Sequence, residues 1–203
     1  MEPVTIAREV FGDRFELAEQ YHDLLATQGI EWGLIGPREV DRLWERHVLN
    51  SVALADLIGE GSDVIDVGSG AGLPGIPLAI LRPDLGVTLL EPLLRRYNFL
   101  SQVVDNLGIS ERVGVERGRA EDYDGEFDVV TCRAVARLEK LLPWVTGLLG
   151  QRGEILALKG SSAEEELSAV SAYLTKNRLQ AQILEVRAHP QTEGTTVVRV
   201  RRS

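Results

Sequence analysis

From residue 63 onward, short apolar runs alternate with helix-like stretches, and this rhythm constrains the fold more than any other feature. The runs are "DVIDVG" (63–68), "GVTLLE" (86–91), "RVGVERG" (112–118), "FDVVTCRA" (127–134) and "GEILALKG" (153–160). Each is short and rich in Val, Ile and Leu, the pattern of a strand buried on both faces. Helical patterns fill 74–82, 92–107, 138–149 and 162–177. Such alternation predicts a doubly wound, mostly parallel sheet. "QAQILEVRA" (180–188) and "TTVVRVRR" (195–202) follow with no helix between them, so they are expected to close the sheet as an antiparallel pair. Arg199, Arg201 and Arg202 read there as charges guarding an edge strand. Upstream, Ile6, Val10, Leu17, Tyr21, Leu24 and Leu25 predict a helix over 5–28, and Pro37 predicts the start of another reaching about 58. The expected division is a helical extension over 1–58 and a ligand-binding α/β domain over 59–203.

Bulk properties narrow the class of function. With 203 residues, 44% of them hydrophobic, the chain can bury an ordinary core. No apolar run approaches a membrane span, and the N-terminus lacks the apolar stretch of a signal peptide. Cys132 is the only cysteine, which fits a reducing compartment and gives no multi-cysteine zinc site. A cytoplasmic protein without a metal is the expectation. The net charge of −9 opposes nucleic-acid binding unless the basic residues gather on one surface.

"DVGSGAGLPG" (66–75) joins the first strand to the next helix and carries Gly68, Gly70, Gly72 and Gly75. Glycine permits positive φ and close approach of backbone to a ligand. In one frame the spacing is G-x-G-x-G, and in another it is the G-x-G-x-x-G of dinucleotide sites. Asp66 completes D-x-G-x-G-x-G, the pattern of S-adenosylmethionine enzymes. Pro74 removes a backbone N–H that a pyrophosphate would want at a helix start, and S-adenosylmethionine has no phosphate. Glu91 ends the second strand, nineteen residues after Gly72, where a carboxylate can accept from ribose hydroxyls. In "GRAED" (118–122), Ala120, Glu121 and Asp122 are placed to reach an adenine.

These segments together resemble the glucose-inhibited division protein B family, the bacterial small-subunit ribosomal RNA (guanine-N7) methyltransferases. The resemblance rests on "DVGSGAGLPGIPLAI" with "RP", on "LLEPLLRRYNFL" (89–100), "GRAED", "CRAVARL" (132–138) and "ALKG" (157–160), and upstream on "RHVLNS" (46–51). It implies a Rossmann-like class I methyltransferase fold with a seven-stranded sheet and N-terminal helices. It also implies S-adenosylmethionine as donor and 16S ribosomal RNA, or an assembling small subunit, as partner. Carried over residue by residue, Gly68, Leu73, Ala120, Glu121 and Arg133 match cofactor-contacting positions. Asn50 stands where the family usually has Asp, and Cys132 where it usually has Ser.

The end of the fourth strand borders the reacting group in such a sheet. It carries Cys132-Arg133-Ala134-Val135, not the D/N-P-P-Y/F of amino-methylating enzymes. Cys132 follows Thr131 rather than Pro, and the strand pattern buries it, so it reads as an inert thiol. Guanine N7 needs neither device, because its lone pair is already in the plane of the ring. No catalytic residue is assigned outright, and Arg133 is a candidate for positioning cofactor or substrate. Arg38, Arg42 and Arg46 recur every four residues, which puts them on one face of a regular helix. With Glu39, Asp41 and Glu45 between them, that face alone reads as solvated. Together with His47, Arg95, Arg96, Arg137 and Lys159 these arginines form the candidate RNA contacts. The competing readings are a nicotinamide-dependent oxidoreductase and a non-catalytic RNA-binding assembly factor.

Overall fold

The computed structural model describes all 203 residues. Its centre is a sheet of seven strands: β1 (Asp63–Val67), β2 (Gly86–Leu90), β3 (Val113–Glu116), β4 (Phe127–Arg133), β5 (Leu149–Lys159), β6 (Leu179–Val186) and β7 (Thr195–Arg202). They lie in the order β3-β2-β1-β4-β5-β7-β6. Strands β1 to β5 are parallel, and β7 is antiparallel to both of its neighbours. The expected closing pair forms, with Leu179 opposite Arg202 and Val186 opposite Thr195. One expectation is corrected. β7 sits between β5 and β6, so Arg199, Arg201 and Arg202 belong to an interior strand and guard no edge.

Helices cover both faces. α1 (Pro3–Phe11) starts on a proline, whose missing N–H is not needed in a first turn, and stops at Gly12, which has φ +52°. The expected helix 5–28 is therefore broken there and resumes as α2 (Phe15–Leu24), which runs on through a wider coil to Gly29. The expected helix from 37 to 58 is not regular. Pro37–Arg42 forms 3₁₀ turns, Leu43–Leu49 a wide π-type coil, α3 (Asn50–Val52) a single regular turn, and Ala55–Leu57 another 3₁₀ turn. The burial pattern gives the reason. Leu43 and Val48 are both fully buried, yet a regular helix would set residues five apart about 140° from each other. Widening the coil turns both toward the sheet. The 3₁₀ turn has a second effect, since four residues at three per turn leave Arg38 and Arg42 roughly 120° apart. Arg38, Arg42 and Arg46 are exposed but do not make one stripe.

The remaining helices are α4 (Gly75–Leu81), α5 (Leu94–Asn106), α6 (Leu138–Val145), α7 (Ala163–Ala169) and α8 (Ser171–Lys176). α6 is shorter than expected because β5 already begins at Leu149, and the segment 162–177 breaks at Val170. Successive strand residues face opposite ways. Val64 and Leu156 join a core with the N-terminal helices, α4 and α5, while Ile65 and Ala157 join a second core with α6 and α7. Residues 1–58 thus share a continuous core with the sheet. No helix is long and apolar enough to cross a membrane. The strand order reverses beside β1, between β2 and β4, which opens a crevice beyond the carboxyl ends of these strands.

Candidate active site

The glycine turn lies in that crevice. Gly68, Gly70 and Gly72 have φ of 66°, 63° and 99°, the left-handed region that suits residues without a Cβ. At Gly68 the constraint is double, because a Cβ would also come 2.8 Å from Val135 Cγ2. Asp66 fastens the turn from beneath. Its Oδ2 accepts from Ser69 Oγ at 2.6 Å and from the Gly75 N–H at 3.0 Å, while Oδ1 is buried without a partner. Burial pushes the Asp66 carboxyl up to about 7, against the lowering effect of those two hydrogen bonds. Asp66 therefore holds the turn from the core side instead of facing the crevice. Tyr21 does the same from α2, donating to the Ala71 carbonyl at 2.9 Å. Leu73 is buried where the turn enters α4.

Glu91 is buried at the end of β2. Its Oε2 accepts from the Gly70 N–H and its Oε1 from the Leu93 N–H, both at 3.0 Å. Each carboxylate oxygen retains a further lone pair. Beside it opens a narrow, mostly apolar slot of about 90 Å³ between Val67, Leu90, Pro92, Ala120, Val135 and Trp144. Ala120 is buried in its wall, while Glu121 lies at its exposed rim, 3.4 Å from Arg119. The arrangement suits a flat apolar ring joined to vicinal hydroxyls. Trp144 and Pro92 were not singled out in the sequence. Trp144 reaches the slot only through the packing of α6 beside β1 and β4.

Arg133, at the end of β4, links the sheet to the N-terminal layer. It donates to the Arg46 carbonyl at 3.1 Å and to His47 Nδ1 at 3.0 Å. His47 Nε2 lies 3.0 Å from Glu39 Oε2. Arginine has only donors, so Nδ1 must accept and Nε2 carries the proton toward Glu39. Burial, and next the Arg133 charge, hold the His47 pKa below its ordinary value against the raising effect of Glu39. The hydrogen bond from His47 lowers Glu39 in turn. In the sequence Glu39 reads only as part of a solvated face. The next residue, Ala134, has φ 55°, so the chain turns sharply as it leaves the strand. Beyond it a cleft of about 370 Å³ opens between Asn50, Arg133, Arg137, Lys159 and Thr195.

The other expected contacts divide. Arg95, Arg96 and Arg137 are exposed near the crevice; Arg96 lies 4.0 Å from Glu91, and Arg137 pairs with Glu165 at 2.7 Å. Lys159 is corrected. Its ammonium is buried on the Ala136 carbonyl at 2.6 Å and on Glu166 at 2.8 Å, so it does not present a free charge to a ligand. Burial pushes Glu166 up, but Lys159, Ser162 and the Leu138 N–H outweigh it and leave its pKa lowered. Burial lifts the Cys132 thiol to about 12.

The sequence matches, over residues 14–193, the family described as GidB, rRNA small subunit methyltransferase G. The chain belongs to the GidB family. A relative from Kineococcus radiotolerans named Ribosomal RNA small subunit methyltransferase G is 52% identical over 204 residues, which cover 98% of this chain and 80% of the relative. The protein of the same name from Streptomyces coelicolor is 56% identical over 198 residues, covering 96% and 82%. Among solved structures, a ribosomal protein L11 methylase from Lactobacillus delbrueckii aligns with a TM-score of 0.58 at 18% identity, covering 76% of this chain and 77% of that one. TYW2 of Pyrococcus horikoshii, in complex with MeSAdo, aligns with a TM-score of 0.61 at 15% identity, covering 82% and 63%. Such identities speak for the fold, which is the Rossmann-like class I methyltransferase fold. In this GidB-family chain Asn50 bonds Thr195 Oγ1 at 2.8 Å and so ties α3 to β7 across the cleft.

Proposed function

We propose that this chain transfers a methyl group from S-adenosylmethionine to N7 of a guanine in 16S ribosomal RNA. Its family and the printed name of its relatives support methylation of small-subunit ribosomal RNA. One observation carries the choice of atom. His47, whose ordinary pKa lies near neutrality, stands behind Arg133 of the cleft wall, and both of its ring nitrogens are engaged, one by Glu39 and one by Arg133. It is not free to take a proton from an exocyclic amine, and N7 has no proton to lose.

S-adenosylmethionine supplies an electrophilic methyl carbon on a sulfonium whose departure leaves the bonding pair on sulfur. The chain fits this group. The apolar slot at Ala120 and Trp144 takes the adenine, with Glu121 at its rim, and Glu91 accepts from the ribose hydroxyls. Gly68, Gly70 and Gly72 let the backbone approach the methionine moiety, while Asp66 and Leu73 hold the turn. Arg133, aimed by His47, orients the reacting partners at the cleft mouth. N7 attacks with its in-plane lone pair, so what remains for the enzyme is alignment in a water-poor site. Arg46, Arg95, Arg96 and Arg137 carry phosphates around the cleft, with Arg38 and Arg42 farther out. Residues 1–58 supply one wall of that cleft, and the protein works in the cytoplasm. Incubating the protein with methyl-tritiated donor and unmethylated 16S RNA, free or in the subunit, should give labelled 7-methylguanosine on nucleoside analysis. Label on an exocyclic amine would overturn the choice of atom, and no label on either substrate would overturn the activity.

A further inference from the structure

β7 carries two arginines that the methyl-transfer site does not use. Arg199 and Arg201 alternate onto one face of the sheet, and each donates its Nε to the same oxygen of Glu154 on β5, at 2.5 and 2.8 Å. One buried carboxylate cannot neutralise two guanidiniums. A guanidinium has five N–H donors, and the terminal nitrogens of both side chains make no hydrogen bond within the protein. Glu154 thus fixes two forks by their inner nitrogens and leaves the outer ones unspent. Gln182 and Gln180 stand opposite them on β6. Arg152, which has no ion pair, and Arg202 flank them. Two adjoining grooves, of about 520 and 250 Å³, run across this surface and share Arg199 and Arg201. The acids on the rim are Glu60 and Asp128, and one Asp128 oxygen is held by the Asp63 N–H. The two grooves together are lined by four arginines against three carboxylates, a net charge of +1 in a chain of net charge −9, and the smaller groove has no acid in its lining. Protection of an edge does not explain it, because β7 is an interior strand.

We infer that this surface is a second docking site for the RNA substrate and grips its phosphate backbone away from the reacting base. The inference rests on the function proposed above. Planar forks with free outer nitrogens match phosphate oxygens two at a time. Held in advance by Glu154, they lose less rotamer freedom on binding. The glutamine amides beside them add neutral donors. Thr195 borders the substrate cleft, and Arg201 lies six residues further along β7, about 20 Å away at the rise of a strand. That is less than the ~34 Å turn of a nucleic-acid duplex. One folded RNA element can therefore reach both places.

The test uses the full chain with Arg152→Ala and Arg201→Ala together, which leaves Arg199 to balance Glu154. Affinity for protein-free 16S RNA and for the small subunit is measured across a salt series, with cofactor affinity by calorimetry as the check on folding. RNA affinity should fall roughly tenfold near physiological salt, and the slope of log K against log salt should shrink by about one for each arginine removed. Cofactor affinity and the single-turnover rate at saturating RNA should not change. The double Lys variant should restore the slope but only part of the affinity, since it keeps charge and loses the fork. Unchanged affinity and slope for protein-free RNA would overturn the inference. A loss confined to the subunit would overturn it too, and would point to an acidic ribosomal protein as the occupant. If the wild type bound neither RNA substrate, the proposed function would fall as well, whereas equal binding by wild type and variant removes this surface alone.

Discussion

Asp66 and Glu91 show how single side chains set the glycine turn before any ligand arrives. Asp66 is buried with one unpartnered oxygen, and its pKa stands near 7 against about 4 in an unfolded chain. Between those values the folded state binds more protons than the unfolded one, so its stability falls as pH rises through that window. The ligand-free wild type should therefore lose stability from about pH 4 to 7, and Asp66→Asn, which cannot ionise, should lack that part of the slope in denaturant melts at several pH values. Glu91 acts from the crevice side. Removing a carboxylate that accepts from ribose should cost about 1.5–3 kcal/mol, so Glu91→Ala should raise the cofactor Kd by one to two orders of magnitude in calorimetry. An unchanged Kd would leave Glu91 as a clamp on Gly70 and Leu93 only. Both carboxylates were legible in the sequence, because each has a fixed place around a turn with a recognisable spacing. Tyr21, Glu39 and Trp144 were not. Each meets its partner across tens of residues of chain, and locally each looks like an ordinary core or surface position. A tyrosine among apolar helix residues does carry one hint, since its buried hydroxyl must find an acceptor somewhere.

Whole elements were read well where burial alone decides them. All seven strands overlap the runs of Val, Ile and Leu that predict them, although β5 starts four residues early at Leu149; the pattern is plainest in β1 and β5, whose residues are mostly buried, and β6 keeps an exposed side. Position within the sheet was less legible. Nothing local tells β7 that it lies inside β6, so in the sequence its arginines read as guards of an edge that belongs to its neighbour. The segment 37–58 failed for another reason. Its apolar spacing mixes periods, and contact with the sheet chose tight and wide turns over a regular helix. Lys159 is the clearest case of a residue whose element overrides its type. At the end of β5 it bonds the Ala136 carbonyl and Glu166, while Glu166 also accepts from Ser162 and the Leu138 N–H. This tie pins the chain leaving β4 to α7, next to the cleft. Lys159→Ala would leave a buried carboxylate without its counter-charge and should lower stability by about 3 kcal/mol in urea titration. Substitution of a residue that served RNA directly would instead weaken RNA binding and leave stability alone, and that result would make Lys159 an RNA contact.

At the scale of the whole molecule, the N-terminal layer and the sheet meet at Glu39, His47 and Arg133, and this junction predicts how the enzyme responds to pH. The imidazole is held neutral by burial and by the Arg133 charge, with Nδ1 accepting from Arg133 and Nε2 donating to Glu39. Its folded pKa lies below the ordinary 6.5, so its contribution to stability is complete above about pH 6.5 and is lost as pH falls through the folded value. Protonation places a second donor on Nδ1, which then faces the Arg133 donor and releases it. Acid should therefore loosen the seam between the layer and the sheet and weaken substrate binding. The chemical step is a separate matter. A general base would impose a rising acid limb on its rate. Attack by N7 needs no base, and neither N7 nor a sulfonium titrates between about pH 6.5 and 8.5. Measured in a single turnover with RNA and cofactor saturating, the step should be nearly flat across that range. His47→Asn should then lower RNA affinity or stability by more than it lowers the step, and Glu39→Gln, which still accepts from Nε2, should do so more mildly. A clear pKa near neutrality in the wild-type step that disappears in His47→Asn would mean that a proton does move. In that event His47 must leave one of its two partners during turnover, and the reacting atom is not N7.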